Sequence, residues 1–273
     1  MNLACKNAAL DLTRPIVMGI VNVTPDSFSD GGKFLVRDQA IAHARQLVAE
    51  GAAIIDIGGE STRPGAIAAT LQEELDRVMP VLEELVRDGL MVSVDTQKTE
   101  VMREAIRLGA AMINDVNALQ APGAIEACTA ANVAICLMHK QGAPDTMQQS
   151  PRYQDVVAEV RDFLQARALA CEAAGMARGR IVIDPGFGFG KTVEHNFTLL
   201  RRIDELGALG YPVLAGFSRK SSLGSITGRD VDDRLAASLA AALIAAQNGA
   251  KILRVHDVKE TIDVLKVWQA SRA

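Results

Sequence analysis

The chain has 273 residues, 49% of them hydrophobic, and a formal net charge of −4. This length suits a single domain, 1–273, and the apolar fraction is large enough to form a sizeable core. The slightly acidic balance and the lack of a long basic tract argue against a protein that follows the backbone of a nucleic acid.

The sequence contains no apolar stretch of the length that crosses a bilayer. The alanine-rich segment 235–246 is too short for that and is typical of a packed helix. The cysteines, Cys5, Cys128, Cys136 and Cys171, show neither metal-binding nor redox spacing. We therefore predict a cytoplasmic protein with reduced thiols and no membrane partner.

Short apolar runs alternate with longer helical patterns along the chain. The runs predict strands at 16–22, 52–58, 91–95, 111–116, 133–138, 181–185, 212–217 and 251–255. The helical patterns lie at 37–50, 71–88, 98–108, 123–131, 153–174, 195–206, 233–248 and 259–271. This alternation predicts an α/β fold, a (β/α)₈ TIM barrel preceded by a short N-terminal segment, 1–15. A doubly wound open sheet is the alternative, because strand order cannot be read from the sequence.

Polar or charged residues lie within or just after the predicted strands. They are Asn22, Asp56, Asp95, Asn114, Asp115, His139, Asp184, Ser218, Arg219, Lys220, Ser221, Arg254 and His256. Active sites of TIM barrels form at the C-terminal ends of the strands. We therefore predict that these side chains converge on one pocket.

The glycine-rich stretch 186–192 has some likeness to a phosphate-binding loop. A Walker A loop requires glycine at the position that Pro185 occupies, so that interpretation fails. The glycines are better suited to bring the backbone close to a flat ligand, with Phe187 or Phe189 providing a ring face. A tight turn with either phenylalanine packed in the core is the alternative.

The cationic residues near the end of the chain predict an anion-binding site. Loops after the last two strands of a TIM barrel often bind phosphate, and here they contain Ser218, Arg219, Lys220, Ser221 and Arg254, with His256 beside them. A solvated cationic rim is the alternative for this group.

Asp95, Asn114 and Asp184 can offer acceptors and an amide donor to the edge of a heterocycle, with Lys220 as the nearby cation. A salt-bridged structural cluster is the alternative. Asn22 is either a turn residue or an oxygen ligand to Mg²⁺ that is already bound to phosphates.

Two long motifs and several short ones connect these residues to a known family. The motifs at 20–32, Ile-Val-Asn-Val-Thr-Pro-Asp-Ser-Phe-Ser-Asp-Gly-Gly, and at 59–65, Gly-Glu-Ser-Thr-Arg-Pro-Gly, resemble the signature loops of dihydropteroate synthases. Further matches follow in family order at 93–96, 113–116, 137–139, 184–191, 218–221 and 254–257. The chain is thus similar to this family from residue 16 to residue 257.

The resemblance implies a pterin-binding TIM barrel that acts as a transferase in folate biosynthesis. Its reaction would join 6-hydroxymethyl-7,8-dihydropterin diphosphate to p-aminobenzoate and release diphosphate, with Mg²⁺ as cofactor and in an SN1-like order. The resemblance also implies inhibition by sulfonamides, which mimic p-aminobenzoate, and a homodimer whose interface involves 235–246 and the last helix. Packing of 235–246 against its own barrel is the alternative.

The family's binding roles transfer to matching positions of this chain. The pterin pocket would comprise Asp95, Asn114, Val116, Met138, Asp184, Phe189 and Lys220. The diphosphate would be held by Asn22, Thr62, Arg254 and His256, with Asn22 also on Mg²⁺. p-Aminobenzoate would be framed by Phe28, Thr62, Pro64, Phe189, Lys220 and Ser221, and loop closure would involve Asp30 and Arg63. Catalysis would depend on Asn22, Asp95, Lys220, Arg254 and His256.

Two other functions agree with parts of the sequence. A Schiff-base aldolase would use Lys220 as its nucleophile, but it leaves both long motifs unexplained. A non-catalytic pterin-binding homologue, or a methyltransferase partner of the same superfamily, would have no diphosphate to hold. The residues assigned to the diphosphate favour the synthase over these alternatives.

Overall fold

A computed structural model of the chain describes residues 1–6, 8–24, 33–60, 68–142, 147 and 151–272. Two short antiparallel strands, β1 (Asn2–Ala4) and β2 (Ala9–Asp11), precede an eight-stranded parallel sheet. The parallel strands are β3 (Ile16–Asn22), β4 (Ile54–Gly58), β5 (Val92–Asp95), β6 (Met112–Asp115), β7 (Ala134–Met138), β8 (Ile181–Asp184), β9 (Leu214–Ala215) and β10 (Ile252–Val255).

The parallel sheet closes on itself. Neighbouring strands follow the order β8-β7-β6-β5-β4-β3-β10-β9, and a parallel bridge between Ile183 and Val213 joins the two ends. The Ile183 N–H also donates to the Pro212 carbonyl, 3.0 Å away. A closed parallel barrel confirms the predicted TIM-barrel fold and rules out the doubly wound open sheet.

Helices pack around the barrel and cover its outer face. They are α1 (Lys33–Ala49), α2 (Leu71–Arg87), α3 (Thr99–Leu108), α4 (Ala124–Ala130), α5 (Val156–Ala173), α6 (Val193–Arg201), α7 (Asp204–Gly207), α8 (Ser221–Thr227), α9 (Leu235–Gln247) and α10 (Val258–Ala270). Single 3₁₀ turns lie at Arg178–Arg180 and Val231–Asp233.

Some elements differ from the sequence prediction. The predicted helix 195–206 is two helices, α6 and α7, and α6 begins earlier because the Thr192 hydroxyl accepts the His195 N–H and caps it. Strand β9 is shorter than the predicted 212–217, in part because Pro212 has no N–H for a ladder. Helix α8 is not predicted by the sequence, whose Ser-Arg-Lys-Ser stretch is typical of a loop.

The N-terminal segment, which the sequence presents only as a lead into the first barrel strand, forms a β-hairpin. Its Leu3 and Leu12 side chains are fully buried. They pack with apolar side chains inside the barrel, among them Met18, Ile54, Met112, Ala134, Val182, Leu214 and Ile252. The hairpin therefore closes the N-terminal end of the barrel and leaves the C-terminal strand ends as the face for a site.

A larger core lies between the barrel and its helices. Strand residues such as Ile57, Val94 and Leu137 share it with helix residues such as Leu82 and Leu164, all of them fully buried. This shell fixes the strands from outside, as the hairpin does from below. Within the described residues, no helix combines the length and the apolar character needed to span a membrane.

Candidate active site

A narrow cavity opens at the C-terminal ends of the strands. Its lining residues are Asp95, Asn114, Val116, Met138, Asp184, Gly186, Phe187, Phe189, Gly216, Lys220 and Arg254. All residues that the resemblance places in the pterin pocket are in this set. Strand pairing explains their convergence, since Asp95 is in register with Asn114 and Met138 with Asp184.

A buried ion-pair network forms the floor of the cavity. Arg254 donates from Nε to Asp56 at 2.6 Å and from Nη2 to Asp95 at 2.9 Å. The Asn114 amide donates to the same Asp56 oxygen at 3.0 Å. Asp56 is fully buried and orients both partners, a role that the sequence analysis did not give it. The signal was present, because a lone aspartate in the apolar run 53–58 must find partners when it is buried.

Burial changes the protonation of the cavity carboxyls. It raises the pKa of Asp95 to about 7, although the charge of Arg254 opposes this effect. It raises the pKa of Asp184 to about 6, although the Gly186 N–H donates to this carboxylate at 2.7 Å. Both groups therefore titrate close to neutral pH and respond to any nearby positive charge.

Lys220 and Phe189 form the opposite side of the cavity. The Lys220 Nζ lies 4.3 Å from the centre of the Phe189 ring. Burial, followed by the charge of Arg254, lowers the pKa of Lys220 to about 8. Gly188 permits this contact, because a Cβ there would lie 3.3 Å from Lys220 Cδ and its φ is +79°.

The two phenylalanines of the glycine-rich loop have different roles. Phe187 stacks on Phe217 with ring centres 4.6 Å apart and is 1% exposed. Phe189 is half-buried and contacts Lys220. Phe187 is therefore mainly a core residue, whereas Phe189 presents its ring to the cavity.

His256 follows Arg254 at the end of β10 and is held by Ser218. Its Nδ1 lies 3.0 Å from the Ser218 Oγ, which also accepts the His256 backbone N–H at 3.3 Å. Burial lowers the pKa of His256 to about 3, and the charges of Arg254 and Arg219 add to the effect. The imidazole is therefore neutral at physiological pH and has a fixed orientation.

Some strand-end residues are engaged in supporting contacts. Asp115 accepts backbone N–H groups of the turn that follows β6. His139 has its Nδ1 3.0 Å from the buried Lys191 ammonium, and Arg219 pairs with Asp257 at 2.5 Å. These residues shape the loops around the cavity.

Most of the chain matches proteins of known function. Residues 18–256 match the family model described as pterin binding enzyme. The dihydropteroate synthase of Haemophilus influenzae is 52% identical over 272 residues, which cover 99% of this chain and 99% of that protein. The chain belongs to the dihydropteroate synthase family.

Solved structures of the family share the whole fold. A Xanthomonas albilineans dihydropteroate synthase with 4-aminobenzoic acid is 54% identical, with a TM-score of 0.94 and coverage of 100% of this chain and 98% of that one. The enzyme of the same organism in complex with 7,8-dihydropteroate is 51% identical, with a TM-score of 0.92 and coverage of 100% and 99%. The resemblance read from the motifs is confirmed, and the chain is an enzyme of the transferase class.

Part of the family's site lies outside the described residues. Phe28, Asp30, Thr62, Arg63 and Pro64 belong to this part. Gly59 and Glu60, which directly precede the undescribed residues of the second signature motif, are nevertheless held by side-chain contacts. Lys98 pairs with Glu60 and with the buried Glu74, and Arg77 donates to the Gly59 carbonyl at 2.9 Å.

Asn22 and Ser221 both lie at the C-terminal end of the barrel. Asn22 ends β3, in register with Gly58, and its half-buried side chain has no protein hydrogen-bond partner in the described part of the chain. Ser221 begins α8, directly after Lys220.

The donor set at Asn22 suits one kind of metal ion. Among the described residues, no group of three or more His, Cys, Asp or Glu side chains is arranged to hold a metal. Mg²⁺ commonly keeps several waters and binds through one or two protein oxygens together with substrate phosphates. The amide oxygen of Asn22 fits that mode.

Proposed function

We propose that the chain joins 6-hydroxymethyl-7,8-dihydropterin diphosphate to p-aminobenzoate and produces 7,8-dihydropteroate and diphosphate. One observation carries the proposal: the acceptors Asp95 and Asp184 share a cavity with the half-buried cations Lys220 and Arg254. A ligand that matches both has a donor-rich edge and an anionic end, as this pterin diphosphate does. The relatives solved with 4-aminobenzoic acid and with 7,8-dihydropteroate support the same substrates.

The pterin ring binds at the strand ends. The Gly186 N–H occupies one oxygen of Asp184 and leaves the other for the pterin N–H edge. Asn114 is oriented by its bond to Asp56, so its side-chain oxygen is available to the ring. Val116 and Met138 form apolar walls, while Phe189 and Lys220 complete the pocket. Fixed polar groups of this kind select a ligand by its hydrogen-bond pattern.

The diphosphate binds near the end of β10. The guanidinium of Arg254 uses only some of its N–H groups for Asp56 and Asp95, so others remain for phosphate oxygens. Neutral His256 donates an N–H, and Thr62 and Asn22 complete the set. When bound, Mg²⁺ neutralises charge on the diphosphate and so improves it as a leaving group.

The bond between the pterin methylene carbon and the diphosphate oxygen breaks first. Its electron pair leaves with the diphosphate, and the positive charge spreads from the methylene into the dihydropterin ring. Ionised Asp95 and Asp184 stabilise this charge, while Arg254 and His256 stabilise the departing anion. Preorganised groups of both signs therefore lower the barrier at the two ends of the breaking bond.

The p-aminobenzoate amine then forms the new carbon–nitrogen bond and releases a proton. Its nitrogen is nucleophilic without a strong base, so the step requires no catalytic dyad. The ring and carboxylate are framed by Phe28, Thr62, Pro64, Phe189, Lys220 and Ser221. By the family resemblance, Asp30 and Arg63 would act in closing the site, and closure would keep water from capturing the cation.

We also propose that 1–273 acts as one domain, in the cytoplasm and as a homodimer. The free, buried cysteines suit a reducing compartment. Exposed apolar side chains on the last two helices, Ile244 on α9 and Val267 on α10, support a homodimer. Ala241 and Ala245 of α9 are buried, which supports the alternative that 235–246 packs against its own barrel. Light scattering at micromolar concentration measures the oligomeric state.

Product analysis tests the proposed reaction. With Mg²⁺ and both substrates, the purified chain should produce 7,8-dihydropteroate, identified by chromatography, and omission of either substrate should abolish it. A sulfonamide should compete with p-aminobenzoate. Pterin binding without product would instead favour the non-catalytic or methyl-transfer alternatives.

A further inference from the structure

Two loops of different origin meet on the p-aminobenzoate side of the site. Phe189 lies on the loop after β8, whereas Lys220 and Ser221 follow β9. The Lys220 Nζ is 4.3 Å from the Phe189 ring centre, and the Lys220 stem passes close to Gly188. Contacts this close require the two loops to keep one relative position.

Asn196 on α6 is hydrogen-bonded both to the loop after β8 and to the first turn of α8, which directly follows Lys220. Its side chain is fully buried, and its Oδ1 accepts the Gly188 N–H at 2.7 Å. Its Nδ2 donates to the Ser222 Oγ at 2.9 Å and to the Thr192 carbonyl at 2.8 Å. A primary amide offers one acceptor and two donors in a rigid plane, so a single side chain can tie these groups together.

Two other contacts act on the same loops but cannot replace this link. Phe187 and Phe217 stack between the loops, yet apolar burial has no directional preference that would fix their register. The Lys191 ammonium donates to the Gly186 and Phe189 carbonyls at 3.0 Å each. Those bonds set the shape of the first loop and do not reach the second.

We propose that Asn196 is a positioning residue that sets the relative position of Phe189 and the Lys220–Ser221 pair, which together border the p-aminobenzoate site. This inference rests on the proposed function. The residues that accept hydrogen bonds from the pterin edge, Asp95, Asn114 and Asp184, lie on strands, and the backbone hydrogen bonds of the barrel hold them in place. Phe189 and Lys220 also complete the pterin pocket, but the strand acceptors that recognise the pterin edge do not depend on Asn196. Loss of the Asn196 bonds should therefore affect p-aminobenzoate more than the pterin.

The test uses Asn196→Ala, Ser222→Ala and the double variant, with Asn248→Ala as the matched control. Asn248 follows α9 and donates to the Leu200 and Arg201 carbonyls at 3.1 and 3.2 Å. These carbonyls lie at the C-terminal end of α6, the helix that contains Asn196. Steady-state kinetics give kcat and KM for each substrate, and thermal denaturation gives the stability loss.

We expect Asn196→Ala to lower kcat/KM for p-aminobenzoate by roughly 10- to 100-fold, as small misplacements at a site do. The KM for the pterin should change by less than about 3-fold, because the strand-end groups stay in place. Ser222→Ala should show a smaller effect of the same kind. The double variant should be no worse than Asn196→Ala, because both substitutions remove one shared bond. Asn248→Ala should keep wild-type kinetics.

The inference is overturned if Asn248→Ala, at a similar stability loss, reduces kcat/KM as much as Asn196→Ala. Fully additive effects in the double variant, or equal changes in both KM values, would also overturn it. If Asn196→Ala does not fold, Ser222→Ala carries the test alone, and an unchanged KM for p-aminobenzoate counts against the inference. Wild-type turnover in the same assay separates the claims, since an inactive wild type contradicts the proposed function itself.

Discussion

Different kinds of structure hold the two regions of the site in place. The pterin bed consists of Asp95, Asn114 and Asp184, and the loop side consists of Phe189, Lys220 and Ser221. Asp95, Asn114 and Asp184 are strand residues, and backbone pairing within the barrel fixes their spacing. Phe189 and Lys220 lie on loops whose relative position depends on side-chain bonds. In the proposed mechanism, the barrel backbone thus positions the acceptors for the pterin, whereas side-chain hydrogen bonds position the loop residues that face p-aminobenzoate.

Arg254 is the residue at which these two regions meet. It belongs to a strand and binds Asp56 and Asp95 below the cavity, and in the proposed mechanism it also stabilises the departing diphosphate. Removing its charge altogether would leave two buried carboxylates without their partner. A useful variant must therefore keep the charge and change only the geometry.

Arg254→Lys should have the largest effect on turnover. Lysine keeps a positive charge near Asp56 and Asp95 but loses the planar fork that can bind carboxylate and phosphate together. We expect kcat to fall by about 100- to 1,000-fold, the range seen when a preorganised donor is removed. Rapid-quench measurement of diphosphate release checks this.

Arg254→Ala makes a poor substitute and serves as the comparison. It should lower thermal stability as well as turnover, because it leaves the buried carboxylates unpaired. If Arg254→Lys were as active as the wild type, the forked guanidinium would not be needed for the diphosphate.

The pH profile should fall on both sides of neutrality. Burial raises the pKa of Asp95 to about 7 and that of Asp184 to about 6, so acid protonates first Asp95 and then Asp184 and removes the negative charges that the pterin and its cation require. Burial lowers the pKa of Lys220 to about 8, so alkali removes its charge. We expect kcat/KM to fall by about 10-fold for each pH unit above pH 8, where Lys220 alone of these groups titrates, and more steeply below pH 6, where both carboxylates are protonated.

Lys220→Arg isolates the alkaline limb of that profile. Arginine keeps its charge at every accessible pH, so the fall above pH 8 should disappear even if the overall rate is lower. An alkaline limb that persists unchanged in this variant would assign the titration to a different group.

Phe187→Leu and Phe189→Leu should have small effects on different properties, the first on stability and the second on substrate binding. Phe187 is in a buried stack, so its substitution should reduce stability by about 1–2 kcal/mol and leave KM values nearly unchanged. Phe189→Leu should keep the melting temperature and raise KM for p-aminobenzoate by about 3- to 10-fold. Differential scanning calorimetry measures the loss of stability, and steady-state kinetics measures KM. If both variants changed stability and KM equally, the separate roles assigned to Phe187 and Phe189 would be wrong.

The sequence predicts the repeating part of the fold well, because strand and helix periods are local. Strand β3 agrees with its prediction at both ends. The N-terminal hairpin escapes prediction because its strands have only three residues each, too few for a periodic pattern. Its burial depends on the barrel interior, which lies far away in the sequence.

The same distinction applies to the site. Residues at strand ends can be anticipated, since the fold brings them to one face. The partners of Asp56 and Asn196 cannot, because their hydrogen bonds join segments that are distant in sequence. Choosing between Phe187 and Phe189 also requires the loop geometry, in which alternate residues face the core and the cavity.

The most direct measurement compares Asp184→Asn with Arg254→Lys in two assays: calorimetric titration with the free hydroxymethyl pterin, which has no diphosphate, and steady-state turnover. Asp184→Asn should weaken free-pterin binding by about 10- to 100-fold, as loss of a charged acceptor does. Arg254→Lys should keep that affinity within about 3-fold while turnover collapses. Equal loss of affinity in both variants would contradict the separation between the pterin bed and the diphosphate cations.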